Sequence, residues 1–430
     1  MIATLPLKKY GLLGSLYLSQ FMPFWFLYEA LPVLLRQRGM SLEAIGLLPL
    51  VAIAVSFKFL WSPLIDRYSF ARWGHYRFWI IFFQLWIVGI TVVCSLLSLD
   101  RQLPLILIGL ALLGVGCASQ DIATDALAVR LLDPAERGTG NAVQGVGGSL
   151  GKMIGGGAML IGLNRWGWRP SLLMLATLML IALLPVLAYH EPRREAIPSP
   201  VKRVENGMGL LAYFKIFLRF CQQPNMGTWL LILGLYAAAH NLSATMFRPL
   251  LVDAGLSLSD IGSLFGIVGT STTILGTLSA GLLITRWGRK RSLLLSSSVA
   301  LLGIVSYFLP TFGFTQLPVL YGIVSLAFFA LGMVGTTAFT IMMDNSRLAT
   351  AGTDYTLQTS LIALGGILSA AVSGVLANAI GYRGVFGLSV LLLLGCMALV
   401  ANYFTSAIDP KLKTAPTPRQ NQDQTPIKKR

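Results

Sequence analysis

Two acidic residues, Asp121 and Asp125, lie four positions apart inside a long apolar run. Residues at this spacing share one face of a helix. Two carboxylates that face one cavity are costly to ionise together, so such a pair can hold a proton. The competing interpretation is that Asp125, near the end of the run, pairs with a nearby arginine. The spacing therefore predicts a proton-coupling pair, with a plain ion pair as the alternative.

Other ionisable groups lie in similar apolar runs, where a charge costs about 2.5–3.5 kcal/mol and normally faces a cavity or a partner. Glu29 and Arg248 can bind an anionic or zwitterionic ligand, or pair with each other. His240 can relay protons or contact a solute, with a packed histidine as the alternative. Nearby Tyr236 adds an aromatic wall that suits a ring-containing solute. We expect Lys58 instead to extend its ammonium group toward the membrane surface.

The composition decides which elements position these residues. Hydrophobic residues make up 55% of the chain and charged residues 12%, whereas soluble domains carry about 25% charged residues. Apolar runs of about 20 residues follow one another, and each is long enough to cross a bilayer. The runs lack the alternation of barrel strands, so the sequence predicts an all-α membrane protein.

We predict twelve transmembrane helices, near residues 10–34, 43–64, 78–98, 105–129, 139–163, 170–189, 227–252, 259–285, 293–313, 318–343, 353–379 and 385–407. The predicted chain organisation is an N-terminal six-helix bundle (1–189), a cytoplasmic linker with an amphipathic helix (190–226), a C-terminal six-helix bundle (227–408) and a disordered tail (409–430).

The two bundles are related by an internal repeat. Residues 39–48 read GMSLEAIGLL and residues 255–264 read GLSLSDIGSL, about half the chain apart. The turn Gly167-Trp168-Arg169 recurs as Gly381-Tyr382-Arg383 at nearly the same offset. Related halves in one apolar chain are typical of transporters whose site lies between the halves. The fold expected is therefore two pseudo-symmetric bundles around a shared cavity.

The net charge of +16 comes from 33 Lys and Arg residues, and most of them fall on one side of the predicted spans. Because positive residues favour the cytoplasm, both termini are expected inside, and nucleic-acid binding is disfavoured. The four cysteines show no metal-ligand spacing and are interpreted as packing residues. We predict no metal site and no cofactor. With no nucleophile–histidine–acid set or nucleotide loop visible, an enzyme is not expected.

Two short basic loops occupy equivalent places after the second and eighth spans. One contains Asp66 and Arg67, and the other contains Arg286 and Arg289. Both resemble the loop signature of the major facilitator superfamily. An acid at such a helix end can pair with cations and with a neighbouring helix N-terminus, so these four residues are predicted to latch one conformation. The second copy has Thr285 in place of the acid, which predicts a weaker latch.

Longer stretches narrow the resemblance. Residues 118–127 (ASQDIATDAL) and 131–138 resemble the AmpG-like branch of the superfamily, which includes muropeptide permeases. Residues 29–36 with 58–63, and 342–347 (MMDNSR) with 351–358, resemble its RhtX/FptX group of siderophore importers. Within these stretches, Asp344 can pair with Arg130 or Arg347.

The resemblance implies a proton-driven importer of a siderophore or its metal chelate. We expect it in the bacterial inner membrane as a monomer, with the solute, protons and the lipid bilayer as its partners. Two alternatives remain open. One is an AmpG-like permease for muropeptides or another amphiphilic solute, and the other is a membrane sensor that keeps the fold without transport.

Overall fold

The computed structural model of the chain describes residues 4–37, 56–68, 74–99, 101–191 and 210–404. Every regular element in these ranges is helical. Ten helical stretches there are long and apolar enough to cross a membrane. The last of them, Leu348–Asn402, contains two spans that meet at Gly381. The all-α membrane fold expected from the composition is confirmed.

The helices of the first half agree closely with the predicted spans. They are α1 (Thr4–Trp25, continued by a π-helical turn Phe26–Ala30 and by Leu31–Gln37), α2 (Ser62–Arg67), α3 (Tyr76–Leu96), α4 (Leu103–Leu131), α5 (Arg137–Lys152, continued by a π-helical turn Met153–Ala158 and by Met159–Trp166) and α6 (Trp168–Ala188). Most of the predicted second span (43–64) and the repeat at 39–48 lie outside the described residues.

A short helix, α7 (Leu210–Cys221), precedes the second half. Ile216 and Phe220 are buried in it while Lys215 and Arg219 are exposed, so the predicted amphipathic helix is present. The rest of the linker from residue 192, and the tail from residue 405, lie outside the described residues. The later helices are α8 (Met226–Asp253), α9 (Leu258–Ser263, continued by a π-helical turn Leu264–Gly269 and by Thr270–Trp287), α10 (Arg289–Ser306), α11 (Leu317–Asn345) and the stretch Ala351–Tyr403.

The turn repeated in the sequence has the same conformation in both halves. Gly167 has φ 79° between α5 and α6, and Gly381 has φ 70° inside Ala351–Tyr403. A side chain at such φ values is strained, which explains glycine at both positions. Gly381 divides the last stretch into α12 (351–380) and α13 (382–403). The repeated motif therefore marks the same helix-to-helix turn in each half.

Glycines spaced four apart on α5 let α1 approach closely. Gly147, Gly151 and Gly155 all face α1, and a Cβ at Gly151 would come within 2.7 Å of the Cβ of Phe21. A Cβ at Gly155 would overlap the carbonyl oxygen of Met22. Small residues at this spacing allow helix backbones to touch in membranes. These glycines therefore serve the close packing of α1 on α5.

The two halves meet at one end of the molecule. We call this end the basic end; it carries Arg67, Arg130, Arg289 and Arg347, and the opposite end is the far end. A single buried apolar cluster there joins both halves, with Leu127 from the first half and Met343 and Tyr355 from the second. Toward the far end, one cluster draws only on residues 22–182 and another only on residues 247–386. The halves therefore pack together at the basic end and separate toward the far end.

Candidate functional site

A buried ion pair links α4 to the segment before α2. The Lys58 ammonium group pairs with Asp121, and the Gln20 side-chain amide of α1 donates to the other carboxylate oxygen of Asp121. The Lys58 side chain is 3% exposed and that of Asp121 is 19% exposed. The prediction that Lys58 reaches the surface is wrong, because a carboxylate at the same depth offers it a partner and removes the reason to leave the protein.

Asp125 lies one turn further toward the basic end and is also buried. The hydroxyl group of Tyr17 on α1 donates to it at 2.8 Å, so its partner is a tyrosine rather than an arginine. The hydroxyl of Tyr355 on α12, in the second half, lies within electrostatic reach of Asp125. Asp121 and Asp125 thus both face α1, as their spacing predicted. Their role in proton coupling stays a prediction.

Asp66, at the end of α2, binds the start of α12 across the junction of the halves. Its carboxylate accepts hydrogen bonds from the backbone N–H groups of Gly352 (3.1 Å) and Thr353 (2.7 Å) and from the Thr353 hydroxyl (2.7 Å). Tyr76 donates a fourth at 2.6 Å. Burial raises the pKa of Asp66, while these hydrogen bonds lower it. An anion at a helix N-terminus is favourable, and the latch role remains a prediction.

A second junction forms around Asp344 at the end of α11. Arg289 of the same half donates to one of its oxygens at 2.8 Å, and Arg137 of the first half donates to the other at 2.8 Å. Arg289 also donates to the carbonyl of Pro134 in the first half. The expected partners of Asp344, Arg130 and Arg347, were wrong. The reason is geometric, since Arg347 pairs with Asp354 on α12 and Arg130 donates to the carbonyl of Leu348.

The other two latch candidates take no part in the Asp344 cluster. Arg67 lies beside the ring of its neighbour Tyr68, 5.5 Å from its centre, and Arg286 is exposed at the end of α9. Of the four residues predicted to form latches, Asp66 and Arg289 are therefore the two that the structure brings to the junction.

Glu29 and Arg248 lie toward the far end. Glu29, in the π-helical turn of α1, pairs with Lys152 of α5 at 2.9 Å. Arg248 is exposed and lies over the ring of Phe265, 4.7 Å from its centre. The alternative in which Glu29 and Arg248 pair with each other is therefore wrong, because each finds a partner inside its own half.

Four half-exposed rings form a ridge along α1, which we call the aromatic ridge: Phe21, Phe24, Trp25 and Tyr28. Phe24 and Tyr28 stack with ring centres 4.4 Å apart. The ridge continues the helix face of Tyr17, which lies in the same buried cluster as Tyr355 of the second half. Because the same face is buried at Tyr17 and half exposed above it, the aromatic ridge lines the space between the halves on the far-end side.

Tyr236 and His240 lie apart from the acidic pair. Together with Tyr307 they line a small cavity enclosed by helices of the second half, rather than the space between the halves. The structure therefore does not bring them to Asp121 and Asp125, and their role in binding stays a prediction.

A sequence-family comparison decides the class of this architecture. The family model of the Major Facilitator Superfamily matches residues 13–370. The chain belongs to the Major Facilitator Superfamily. The structure is thus that of a superfamily transporter with a multi-pass membrane fold.

Three similar proteins illustrate the relationship within this superfamily. The anhydromuropeptide permease of Escherichia coli (strain K12) is 28% identical over 357 residues, which cover 82% of this chain and 71% of that protein. The human organic anion transporter MFSD10 (TETRAN) superposes with a TM-score of 0.74 at 16% identity, covering 92% of this chain and 99% of that one. A bacterial homologue of the iron transporter ferroportin, in an outward-facing state, gives 0.68 at 17% identity, with the same coverage. The resemblance to muropeptide permeases is confirmed. The finer resemblance to siderophore importers is not supported by these three.

Several residues of this superfamily site were missed by sequence reasoning. Lys58 was expected at the membrane surface, no partner was assigned to Lys152, and Gln20 and Tyr17 were not connected to the acids. The sequence did contain an indication that the two lysines pair with acids. Both membrane-depth lysines occur in a half that also has membrane-depth acids, and charges at that depth normally pair. For the polar partners on α1, periodicity alone does not show which face turns toward α4.

Proposed function

We propose that this superfamily transporter couples proton movement to the uptake of an amphiphilic sugar–peptide solute of the muropeptide class across the bacterial inner membrane. The observation that carries the proposal is the buried cluster of Lys58, Asp121 and Asp125 beside the junction of the halves. Buried charges at membrane depth mark ion and proton pathways. Uptake then proceeds by alternating opening of the two ends around this cluster.

The two acids differ in access, which supports proton coupling. Asp121 keeps 19% of its side chain exposed, whereas Asp125 is buried beneath the closed basic end. Lys58 pairs with Asp121 and lies within electrostatic reach of Asp125. A change that opens the basic end would expose Asp125 and alter how strongly Lys58 interacts with Asp121 and with Asp125. Proton exchange at these acids can therefore differ between the two access states.

Two observations support the proposed class of solute: the aromatic ridge and the similarity to the Escherichia coli permease. Phe24 and Tyr28 offer stacked, half-exposed rings, and Glu29 with Lys152 offers both signs of charge beside them. Apolar walls with a few polar groups suit an amphiphile better than a small ion. The Escherichia coli relative is named as an anhydromuropeptide permease.

The direction follows from charge. Because cytoplasmic segments carry the excess of Lys and Arg, the basic end and both termini face the cytoplasm. The described conformation, with its halves joined at that end, is then open to the outside and ready to accept a solute for uptake. We propose that one chain suffices, since the cluster and the aromatic ridge are complete within it.

The proposal is tested by measuring the uptake of labelled anhydromuropeptide into proteoliposomes that contain the protein and carry an imposed proton gradient. We expect concentrative uptake that a protonophore abolishes and that Asp125→Asn removes. Asp133→Asn, which alters a carboxylate 81% exposed at the basic end, is the matched control and should leave uptake unchanged. Uptake that persists after the gradient is shown to have collapsed would refute proton coupling.

Siderophore import is the second candidate, favoured by the motifs at residues 342–347 and 351–358. The same proteoliposomes assign the solute when labelled ferri-siderophore and labelled anhydromuropeptide are offered separately. Gradient-dependent uptake of the siderophore alone would replace the muropeptide proposal, and uptake of neither compound would reject both.

A further inference from the structure

The ion pair between Glu29 and Lys152 lies where π-helical turns of α1 and α5 meet. Glu29 belongs to the turn Phe26–Ala30, and Lys152 directly precedes the turn Met153–Ala158. The ammonium group is 2.9 Å from the carboxylate and 4.5 Å from the centre of the Trp25 ring. π-Helical turns inside α-helices occur frequently at functional sites, which makes this pair a candidate binding site.

The pair faces the space between the halves. Lys152 shares a face of α5 with Asn141, eleven positions earlier, whose amide donates to the hydroxyl of Thr340 in the second half at 3.3 Å. Away from this face, α5 carries exposed apolar side chains suited to lipid, at Leu150, Met153 and Ile161. A solute that enters from the far end would therefore meet Lys152 and Glu29 before it reaches Asp121.

The exposure of this pair separates it from the buried ion pair between Arg289 and Asp344. The side chains of Glu29 and Lys152 are 37% and 24% exposed, whereas those of Arg289 and Asp344 are 2% and 3% exposed. Gly156 lets the Glu29 carboxylate lie close to α5, because a Cβ there would overlap its second oxygen. The pair is thus open on one side to a solute.

We propose that Glu29 and Lys152 bind the zwitterionic end of the solute, an amino acid-like group that carries both an ammonium and a carboxylate. Lys152 takes the carboxylate and Glu29 takes the ammonium group, while the aromatic ridge holds the adjoining ring. This proposal rests on the transport function proposed above and adds which part of the solute the Glu29–Lys152 pair recognises.

Charge balance selects a zwitterion over a simple ion. Opening the pair for a lone anion would leave Glu29 without a counter-charge, and a lone cation would do the same to Lys152. At membrane depth, where each of these side chains is less than half exposed, an unpaired charge is unfavourable. A zwitterion replaces one ion pair by two, so both side chains keep a partner throughout binding.

The chain offers a matched control for this pair. Lys9 on α1 and Glu136 just before α5 are also 2.9 Å apart, with side chains 22% and 24% exposed. They join the same two helices at the basic end, away from the aromatic ridge. Glu136→Gln therefore removes an ion pair of similar distance and exposure without touching the proposed subsite.

The test compares two labelled probes, an anhydromuropeptide with a free amino acid end and the same compound with that end acetylated and esterified. Uptake and equilibrium binding to the purified protein are measured for wild type, Glu29→Gln, Lys152→Gln and the charge swap Glu29→Lys/Lys152→Glu. We expect each single variant to raise the KM and Kd of the zwitterionic probe at least tenfold. The blocked probe, already weaker, should change little, as should both probes in Glu136→Gln.

The charge swap separates recognition from structure. A purely structural pair would be restored by the swap, with wild-type binding of both probes, and that result would overturn the proposal. Equal losses for both probes would overturn it as well. Binding of the zwitterion that depends on this pair, without transport, would reject the proposed function and keep the subsite. Transport with no discrimination by the variants would reject the subsite alone, and no binding would reject both.

Discussion

Breaking the ion pair between Lys58 and Asp121 from either side should have unequal effects. Asp121→Asn leaves the Lys58 ammonium group, 3% exposed, without its partner. Removing one member of a buried ion pair costs about 3–5 kcal/mol. We take the lower limit, about 3 kcal/mol, because Asp125 lies within electrostatic reach of Lys58 and offers partial compensation.

Lys58→Met should cost less. It leaves the Asp121 carboxylate 19% exposed and still bonded to the amide of Gln20. A partly solvated acceptor that retains one hydrogen bond loses about 1–2 kcal/mol. The double variant has no uncompensated charge, and replacing a buried ion pair by neutral groups is often close to neutral. We therefore expect the double variant within about 1 kcal/mol of wild type and a coupling energy of about 3–6 kcal/mol.

Reversible unfolding in mixed micelles of a mild detergent and SDS, followed by circular dichroism, gives the free energy of unfolding for all four proteins. Additive effects, within about 0.5 kcal/mol, would refute the ion pair. The same proteins separate stability from transport. The double variant should regain stability without concentrative uptake, since it lacks the Asp121 carboxylate, and full uptake would remove Asp121 from the coupling mechanism.

Two further predictions concern the closed basic end and the packing of α1 on α5. Asp66→Ala leaves the N–H groups of Gly352 and Thr353 without their acceptor, which costs about 1–3 kcal/mol. In a background free of the native cysteines, this loss should raise maleimide labelling of Thr350→Cys by about 5- to 140-fold. Thr350 is 4% exposed in the closed state; Asp133→Ala is the control, and equal labelling in the two variants would contradict the latch. Gly155→Ala should destabilise the protein by about 1–3 kcal/mol through overlap with the carbonyl of Met22. Gly157→Ala, in the same π-helical turn with nothing within 4 Å of its Cβ, should be nearly neutral in the micelle assay, and equal effects of the two would refute close packing.

The sequence predicted the helices far better than the contacts between them. Apolar run length locates spans because backbone groups in lipid must bond within a helix. The repeated glycine turns then located equivalent corners of the two halves, at Gly167 and Gly381. Partner choice is a different problem. Lys58 was assigned to the surface because its preference for water is local information, while the carboxylate that keeps it buried lies 63 positions away on α4.

The two junctions at the basic end illustrate why motifs alone do not rank such contacts. Thr285 replaces the acid of the second loop, and its hydroxyl donates to the carbonyl of Leu282 in its own helix. The sequence therefore predicts a weaker second latch, yet Asp344, from a different helix, joins Arg289 to Arg137 there. The acid that the loop lacks is supplied from α11, so loop residues alone underestimate the second junction.

The Asp344 cluster has more ionic contacts than the Asp66 contact, but this number alone does not make it the stronger junction. The three side chains of the Asp344 cluster are almost fully buried, so much of their attraction offsets the loss of hydration. Removing Arg137 alone would leave Asp344 with one counter-charge and would be costly, whereas replacing the whole cluster by apolar residues could be nearly neutral. Asp66 instead bonds backbone donors at the start of α12. The Asp344 cluster thus makes the junction selective for one geometry, and the Asp66 contact depends on the absence of a side chain at Gly352, where a Cβ would come within 2.8 Å of the Asp66 carboxylate.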